Sequence, residues 1–175
     1  MRLLATAILL VATSAPAQAV EVSNFRSGLA CPNTSAGDNK TGWICHVTED
    51  ILVTDQGSCR YNGQDRPCTW VGFEFDYRGA KAGDELECVV KQSQPSAFGN
   101  PNEELAKNAT SQQFSLPLEK GEGHFYNPQY FTFTARLPNA TLVINTGRCS
   151  FKGKSLFEYT YRLRFPELPK RGPGA

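Results

Sequence analysis

The chain has 175 residues, with 18 basic and 17 acidic side chains, 40% hydrophobic residues and six cysteines. Apart from Arg2 at the extreme N-terminus, 17 basic residues balance 17 acidic ones, and this balance argues against a general nucleic-acid-binding protein. Beyond the N-terminus, no apolar run approaches the ~18 residues of a membrane-spanning helix, so we expect no transmembrane segment.

The first 19 residues, MRLLATAILLVATSAPAQA, are organised like a secretory signal peptide. Arg2 supplies the positive start, Leu3–Ala12 form a short apolar stretch, and Ala17-Gln18-Ala19 match a small-residue cleavage site. We therefore predict an exported protein, periplasmic or extracellular. Its expected parts are a leader at 1–19, a single domain at 20–165 and a flexible Pro/Gly-rich tail at 166–175.

Alternation of apolar and polar residues predicts a chain built mainly of β-strands. In 157–165, every second residue is apolar, which places the apolar side chains on one face of a half-buried strand. Segments 71–77, 86–91 and 131–137 repeat the pattern. Shorter candidates are 21–26, 43–54, 112–118 and 140–146.

Turn residues separate these strands. We expect a loop at 93–102, one short helix over Pro101–Ala109, and a Gly-rich aromatic loop at 121–129 (GEGHFYNPQ). Because the connections are too short for parallel crossovers, the sheets should be antiparallel. Seven or eight short strands predict an all-β, antiparallel β-sandwich, immunoglobulin-like or a jelly roll.

The six cysteines predict three disulfides, since an even number in an exported chain indicates a disulfide framework. Cys59 and Cys68 flank an Asn62-Gly63 turn, which brings their thiols together. The simplest remaining pairs are Cys31–Cys45 and Cys88–Cys149. No CxxC occurs, and no His has zinc-finger spacing, so we expect neither a metal nor another cofactor.

Basic residues are concentrated in the last quarter of the chain. Residues 136–175 carry a net charge of +6, and residues 20–135 carry −6. Arg136, Arg162 and Arg164 fall on the polar faces of predicted strands and would form one basic stripe. Such a stripe would bind an anionic glycan, a lipid headgroup or an acidic protein, unless carboxylates on neighbouring strands pair with it.

Aromatic residues at strand ends, in loops or on outer faces are a second kind of candidate, because they stack on ligands or anchor partners. Trp70 is the best supported, since it lies opposite the apolar 71–77 row. The others are Trp43, Phe98, Tyr126 and Tyr130.

Catalysis has little support in the sequence, which contains no GxSxG, HExxH or phosphate-loop motif. His46 and His124 are the only histidines. We therefore expect a non-catalytic binding or structural module. Two alternatives stay open: a secreted hydrolase that uses His124 or a pair of carboxylates from across the fold, and an apolar-ligand carrier with a cavity between its sheets.

Overall fold

The computed structural model describes residues 19–31, 43–54, 57–61, 63–96, 109–132 and 142–165. These residues form ten strands and, within the described ranges, no helix. The strands are β1 (Glu21–Ala30), β2 (Ile44–Val47), β3 (Asp50–Leu52), β4 (Gly57–Tyr61), β5 (Gln64–Ala80), β6 (Glu85–Ser96), β7 (Ala109–Pro117), β8 (Gly121–Thr132), β9 (Leu142–Phe151) and β10 (Lys154–Arg164).

The strands form two five-stranded sheets that face each other across one apolar core, so the predicted all-β sandwich is confirmed. Sheet I has the order β2-β1-β5-β4, with β8 also paired to β5, and sheet II has the order β3-β10-β9-β6-β7. All pairs are antiparallel except β3 with β10, which run parallel. The expectation of purely antiparallel sheets is wrong here, because β3 and β10 are distant in sequence and need no short crossover.

In β5 and β10 the apolar side chains face the core, as the alternation of apolar and polar residues predicts. Val71, Phe73 and Phe75 of β5 are buried between the sheets, as are Tyr159 and Tyr161 of β10. Successive side chains of β5 therefore point into the core and toward the outside of sheet I in turn. We call the side of sheet I that is turned away from sheet II its outer face.

Several predicted boundaries are wrong. Segment 43–54 is not one strand, since β2 belongs to sheet I and β3 to sheet II. Residues 121–129 are not a loop, because β8 pairs with β5 along this whole stretch. The loop expected at 93–102 is wrong for residues 93–96, since β6 continues to Ser96, and residues 97–102 lie outside the described residues. Ala109 starts β7 rather than ending a helix, and the rest of the expected helix lies outside the described residues.

Aromatic side chains fill the space between the sheets. The ring centroid of Phe73 lies 5.4 Å from that of Phe157 and 5.0 Å from that of Tyr159. Phe25 of β1 stacks on Phe157 at 4.6 Å. Because these rings contact each other directly, this part of the core is packed with side chains. The packing gives no support to an apolar-ligand carrier, which requires an internal cavity.

Three disulfides join Cys31 to Cys45, Cys59 to Cys68, and Cys88 to Cys149. The first-predicted pair, Cys59–Cys68, is confirmed, and the other two are the simplest pairs of the remaining cysteines. Cys88 and Cys149 are opposite each other on β6 and β9, so this bridge lies within sheet II rather than between the sheets. Each bridge stabilises the fold by ~2–4 kcal/mol through its restriction of the unfolded chain.

Candidate functional site

Glu74 is a buried carboxylate on the outer face of sheet I. Alternation along β5 directs its side chain away from the core, yet only 1% of the residue is exposed. Arg26 of the neighbouring β1 donates from Nη1 to Glu74 Oε1 at 2.9 Å. The backbone N–H groups of Trp43 and Ile44 donate to Glu74 Oε2 at 2.7 and 3.4 Å. The carboxylate is thus buried with a cationic partner and with hydrogen bonds to both oxygens, as burial of a charge requires.

The segment that buries Glu74 is the start of β2. Ile44 is buried there, and its carbonyl accepts a hydrogen bond from Arg26 Nη2 at 2.7 Å. The Cys31–Cys45 disulfide and a hydrogen bond from the N–H of Cys31 to the carbonyl of Trp43 hold the same segment to the end of β1. Arg26 and the disulfide therefore fix where Trp43 lies on the sheet.

Trp43 forms an aromatic plate together with Tyr126 of β8. Their ring centroids are 5.1 Å apart, with an angle of 10° between the planes. Tyr126 is half-buried and opposite Glu74 in the β5–β8 ladder. Burial, with the nearby negative charge of Glu74, raises the pKa of Tyr126 to about 12. Trp43 remains 38% exposed, so part of this residue is accessible to a ligand.

His124 lies beside this plate, between two carboxylates. Its Nδ1 is 2.8 Å from Asp76 Oδ1, and its Nε2 is 3.6 Å from Glu74 Oε2. The side-chain amide of Asn24 donates to Asp76 Oδ2 at 2.7 Å. The hydrogen bond from Asn24, followed by that from His124, lowers the pKa of Asp76. We call this set of residues the outer-face cluster: Asn24, Arg26, Trp43, Glu74, Asp76, His124 and Tyr126.

The cluster is poorly arranged for hydrolysis. A general base needs a ring nitrogen directed at its substrate, and both nitrogens of His124 face carboxylates. Glu74 is almost completely covered, so a substrate does not reach it. The hydrolase alternative expected His124 on a loop, but the side chain projects from the middle of a paired strand.

Trp70 lies on the same outer face of β5, as its position in the alternation predicts. It is half-buried and makes an edge-to-face contact with Tyr130 of β8, with centroids 5.3 Å apart. A Cβ on Gly57 of β4 would lie 3.4 Å from its indole ring. These contacts cover part of Trp70, so it is a less accessible platform than Trp43.

The expected basic stripe is paired with carboxylates where the structure describes it. Arg162 lies 3.0 Å from Glu49 and 3.8 Å from Asp50, and Arg164 lies 3.6 Å from Asp50. The acids come from β3 and the residue before it, so the two arginines join neighbouring strands of sheet II. An unpaired stripe is therefore wrong for this pair, and Arg136 lies outside the described residues.

The remaining candidates do not converge on another site. His46 is exposed on β2, and Phe98 lies outside the described residues. The described ranges contain no group of three or more His, Cys, Asp or Glu side chains suited to a metal ion. Within these ranges no helix is long and apolar enough to cross a membrane.

Neither the known protein families nor the curated proteins include a match to this chain. Among solved structures, the chain is similar to an immunoglobulin-like protein from Pseudomonas aeruginosa. The two share 14% sequence identity over 85% of this chain and 99% of the other, with a TM-score of 0.53. At this identity the likeness concerns the fold alone. With the two sheets, it identifies an immunoglobulin-like β-sandwich, which is compatible with a non-catalytic extracellular module.

Proposed function

We propose that the protein is an exported, non-catalytic binding module of the periplasm or cell exterior. In this proposal residues 1–19 are removed on export and residues 20–165 form the single binding domain. The tail expected at 166–175 lies outside the described residues. The contact surface is the outer-face cluster of sheet I, with Trp43 at its centre. Three disulfides suit an oxidising compartment and therefore support export.

The observation that carries the proposal is an exposed tryptophan held in place from two sides. Its backbone is bonded to Glu74, and its ring is stacked on Tyr126. A side chain that is already ordered loses little conformational entropy on binding, and large rigid aromatics are frequent anchors of recognition surfaces. Trp43 as a residue keeps 38% of its surface exposed, which leaves part of it accessible to a partner.

The local charges also favour this face over the arginines of sheet II. Arg162 and Arg164 are satisfied by Glu49 and Asp50, so a second anion would have to compete with those carboxylates. These two arginines therefore do not support binding of the anionic glycan, lipid headgroup or acidic protein expected from the sequence.

The experiment is a binding assay on the cell envelope of the organism that encodes the protein. Labelled mature protein is incubated with the insoluble envelope fraction, and the bound share is measured by sedimentation. Trp43→Ala should weaken binding at least tenfold. Leu142→Ala is a matched control, because Leu142 is a similarly exposed apolar residue (42%) on the opposite sheet. Equal binding by the two variants, or no binding by the wild type, would contradict the proposal.

A further inference from the structure

We propose that the ligand of the outer-face cluster is a neutral sugar unit of a glycan, stacked on the exposed face of Trp43. This inference rests on the proposed function and adds the chemical class of the ligand. It depends on three features of the cluster: the geometry of the indole, the hydrogen-bonding groups beside it, and the balance of its charges.

The indole of Trp43 presents a flat surface for stacking. Tyr126 lies almost parallel to one face of the ring, with centroids 5.1 Å apart, and Trp43 is 38% exposed, so a ligand would stack on the face turned away from Tyr126. The face of an aromatic ring carries the negative part of its quadrupole. One side of a hexose ring is rich in C–H bonds with partial positive charge, and it is flat enough to lie on this surface.

The groups beside the plate match the hydroxyls of a sugar. The side chains of Asp76 and His124 are both accessible to solvent, and the network with Asn24 fixes their orientation. Each oxygen of Asp76 is described with one partner, while a carboxylate has about four acceptor positions in all. Asp76 therefore keeps acceptor capacity for hydroxyl donors without losing its existing bonds. Bonds of this kind are directional, and they would set which hydroxyl pattern is bound.

The charges of the cluster favour a neutral ligand over a charged one. Arg26 is paired with Glu74, and Asp76 is bonded to His124 and Asn24. Farther along the same face, Arg78 is paired with Glu21. A cationic peptide would gain less from an already bonded Asp76 than from a free carboxylate, and an anionic ligand would meet the carboxylates of Glu74 and Asp76. A polyhydroxylated neutral ligand adds hydrogen bonds and leaves the ion pairs intact.

The ligand class is tested with neutral oligosaccharides of glucose, galactose, mannose and N-acetylglucosamine. Each is titrated into the mature protein by calorimetry, and each is used to compete with envelope binding. We expect saturable binding of at least one of them. Trp43→Ala should weaken it at least tenfold, Asp76→Asn should weaken it several-fold, and Leu142→Ala should leave it unchanged. In a Trp70→Phe background, the fluorescence of Trp43, then the only tryptophan, should report the same affinity.

The outcomes separate this inference from the proposed function. If the envelope binds through Trp43 but none of the oligosaccharides competes, the sugar assignment is overturned and the binding surface stands. Loss of the envelope target after protease treatment would likewise identify a protein partner and overturn the sugar. If Trp43→Ala leaves envelope binding unchanged, the contact surface and the ligand class fail together.

Discussion

The backbone N–H of Trp43 donates a 2.7 Å hydrogen bond to Glu74 Oε2, although the two residues are 31 positions apart in the chain. Through this bond the start of β2 is fixed over the middle of β5. The bond explains why a carboxylate that faces outward is buried and why an exposed indole has a fixed position. It joins the stability of sheet I to the geometry of the proposed binding surface.

Replacement of Glu74 by Gln should destabilise the fold by about 2 kcal/mol, since the buried side chain loses its charge opposite Arg26 and strains the hydrogen bonds from β2. This expected loss of stability is smaller than the loss for a fully buried ion pair, because Arg26 is partly exposed and screened by solvent. Denaturant unfolding with all disulfides intact measures it.

The matched control for that variant is Glu158→Gln. Glu158 also accepts from an arginine, Arg148, but both side chains are well exposed. Exposed pairs contribute only ~0–1 kcal/mol, so this change should be small. Similar losses in the two variants would contradict the structural role assigned to Glu74.

Asp76 should stabilise the folded protein at neutral pH and cease to do so in acid. The hydrogen bond from Asn24, followed by that from His124, lowers its pKa from the ordinary value of 3.8. The unfolded chain therefore takes up this proton at a higher pH than the folded chain. The contribution of Asp76 to the stability of the fold is complete above pH 3.8, and it is lost as the pH falls through the lower pKa of the folded state.

Carboxyl carbon NMR measures the titration of Asp76 directly. In Asn24→Gly the midpoint should move upward, toward 3.8, because the largest cause of the shift is removed. Glycine is the suitable replacement, since Asn24 has a positive φ of 51° that alanine would strain. An unchanged midpoint would show that the amide of Asn24 does not hold the carboxylate.

Much of the fold could be predicted from the sequence because alternation and turn residues act locally. The faces of β5 and β10 follow from period-two patterns, and Cys59 pairs with Cys68 across a tight turn. The site could not be predicted in the same way. The position of Glu74 in the alternation indicates its outward direction, but its burial comes from Trp43 and Ile44, which are distant in sequence.

The loop predicted around His124 is wrong for a related reason. Gly121, Gly123 and Pro128 are typical of loops, yet this stretch is the strand β8. Within the described residues β8 pairs only with β5, and a proline is tolerated on a strand with one free edge. A Cβ on Gly123 would meet the hydroxyl of Tyr77 at 2.8 Å, so glycine permits the ring to lie against the strand.

The Cys31–Cys45 disulfide should be reduced before the other two. Cys45 is exposed, whereas all four cysteines of the other pairs are buried, and access governs thiol–disulfide exchange. Under mild dithiothreitol in native buffer, alkylation and peptide mapping should find Cys31 and Cys45 modified first. In the Trp70→Phe background, the fluorescence of Trp43 should change in parallel, since this bridge holds its segment. Earlier modification of any buried cysteine would contradict the prediction that the more accessible Cys31–Cys45 bridge is reduced first.

Gly147→Ala should destabilise the protein by about 3 kcal/mol, because overpacking of a filled core is costly. A Cβ at this position would lie 2.1 Å from Tyr159 Cζ, whose ring covers the glycine across the β9–β10 pair. The adjacent Thr146→Ala serves as the control, since Thr146 lies on the strand next to Gly147 and a surface substitution should cost at most ~0.5 kcal/mol. Thermal and denaturant unfolding compare the two, and equal stabilities would refute the packing of Tyr159 on Gly147.

The central claim, that the outer-face cluster is the contact surface, is tested most directly by NMR chemical-shift mapping. Isotope-labelled mature protein is titrated with glycans released from the cell envelope of its own organism. The account predicts shifts concentrated at the indole N–H of Trp43 and at Tyr126, Asp76 and His124. Shifts centred on Leu52, Leu142 and Arg164 of sheet II, with none in the outer-face cluster, would contradict it.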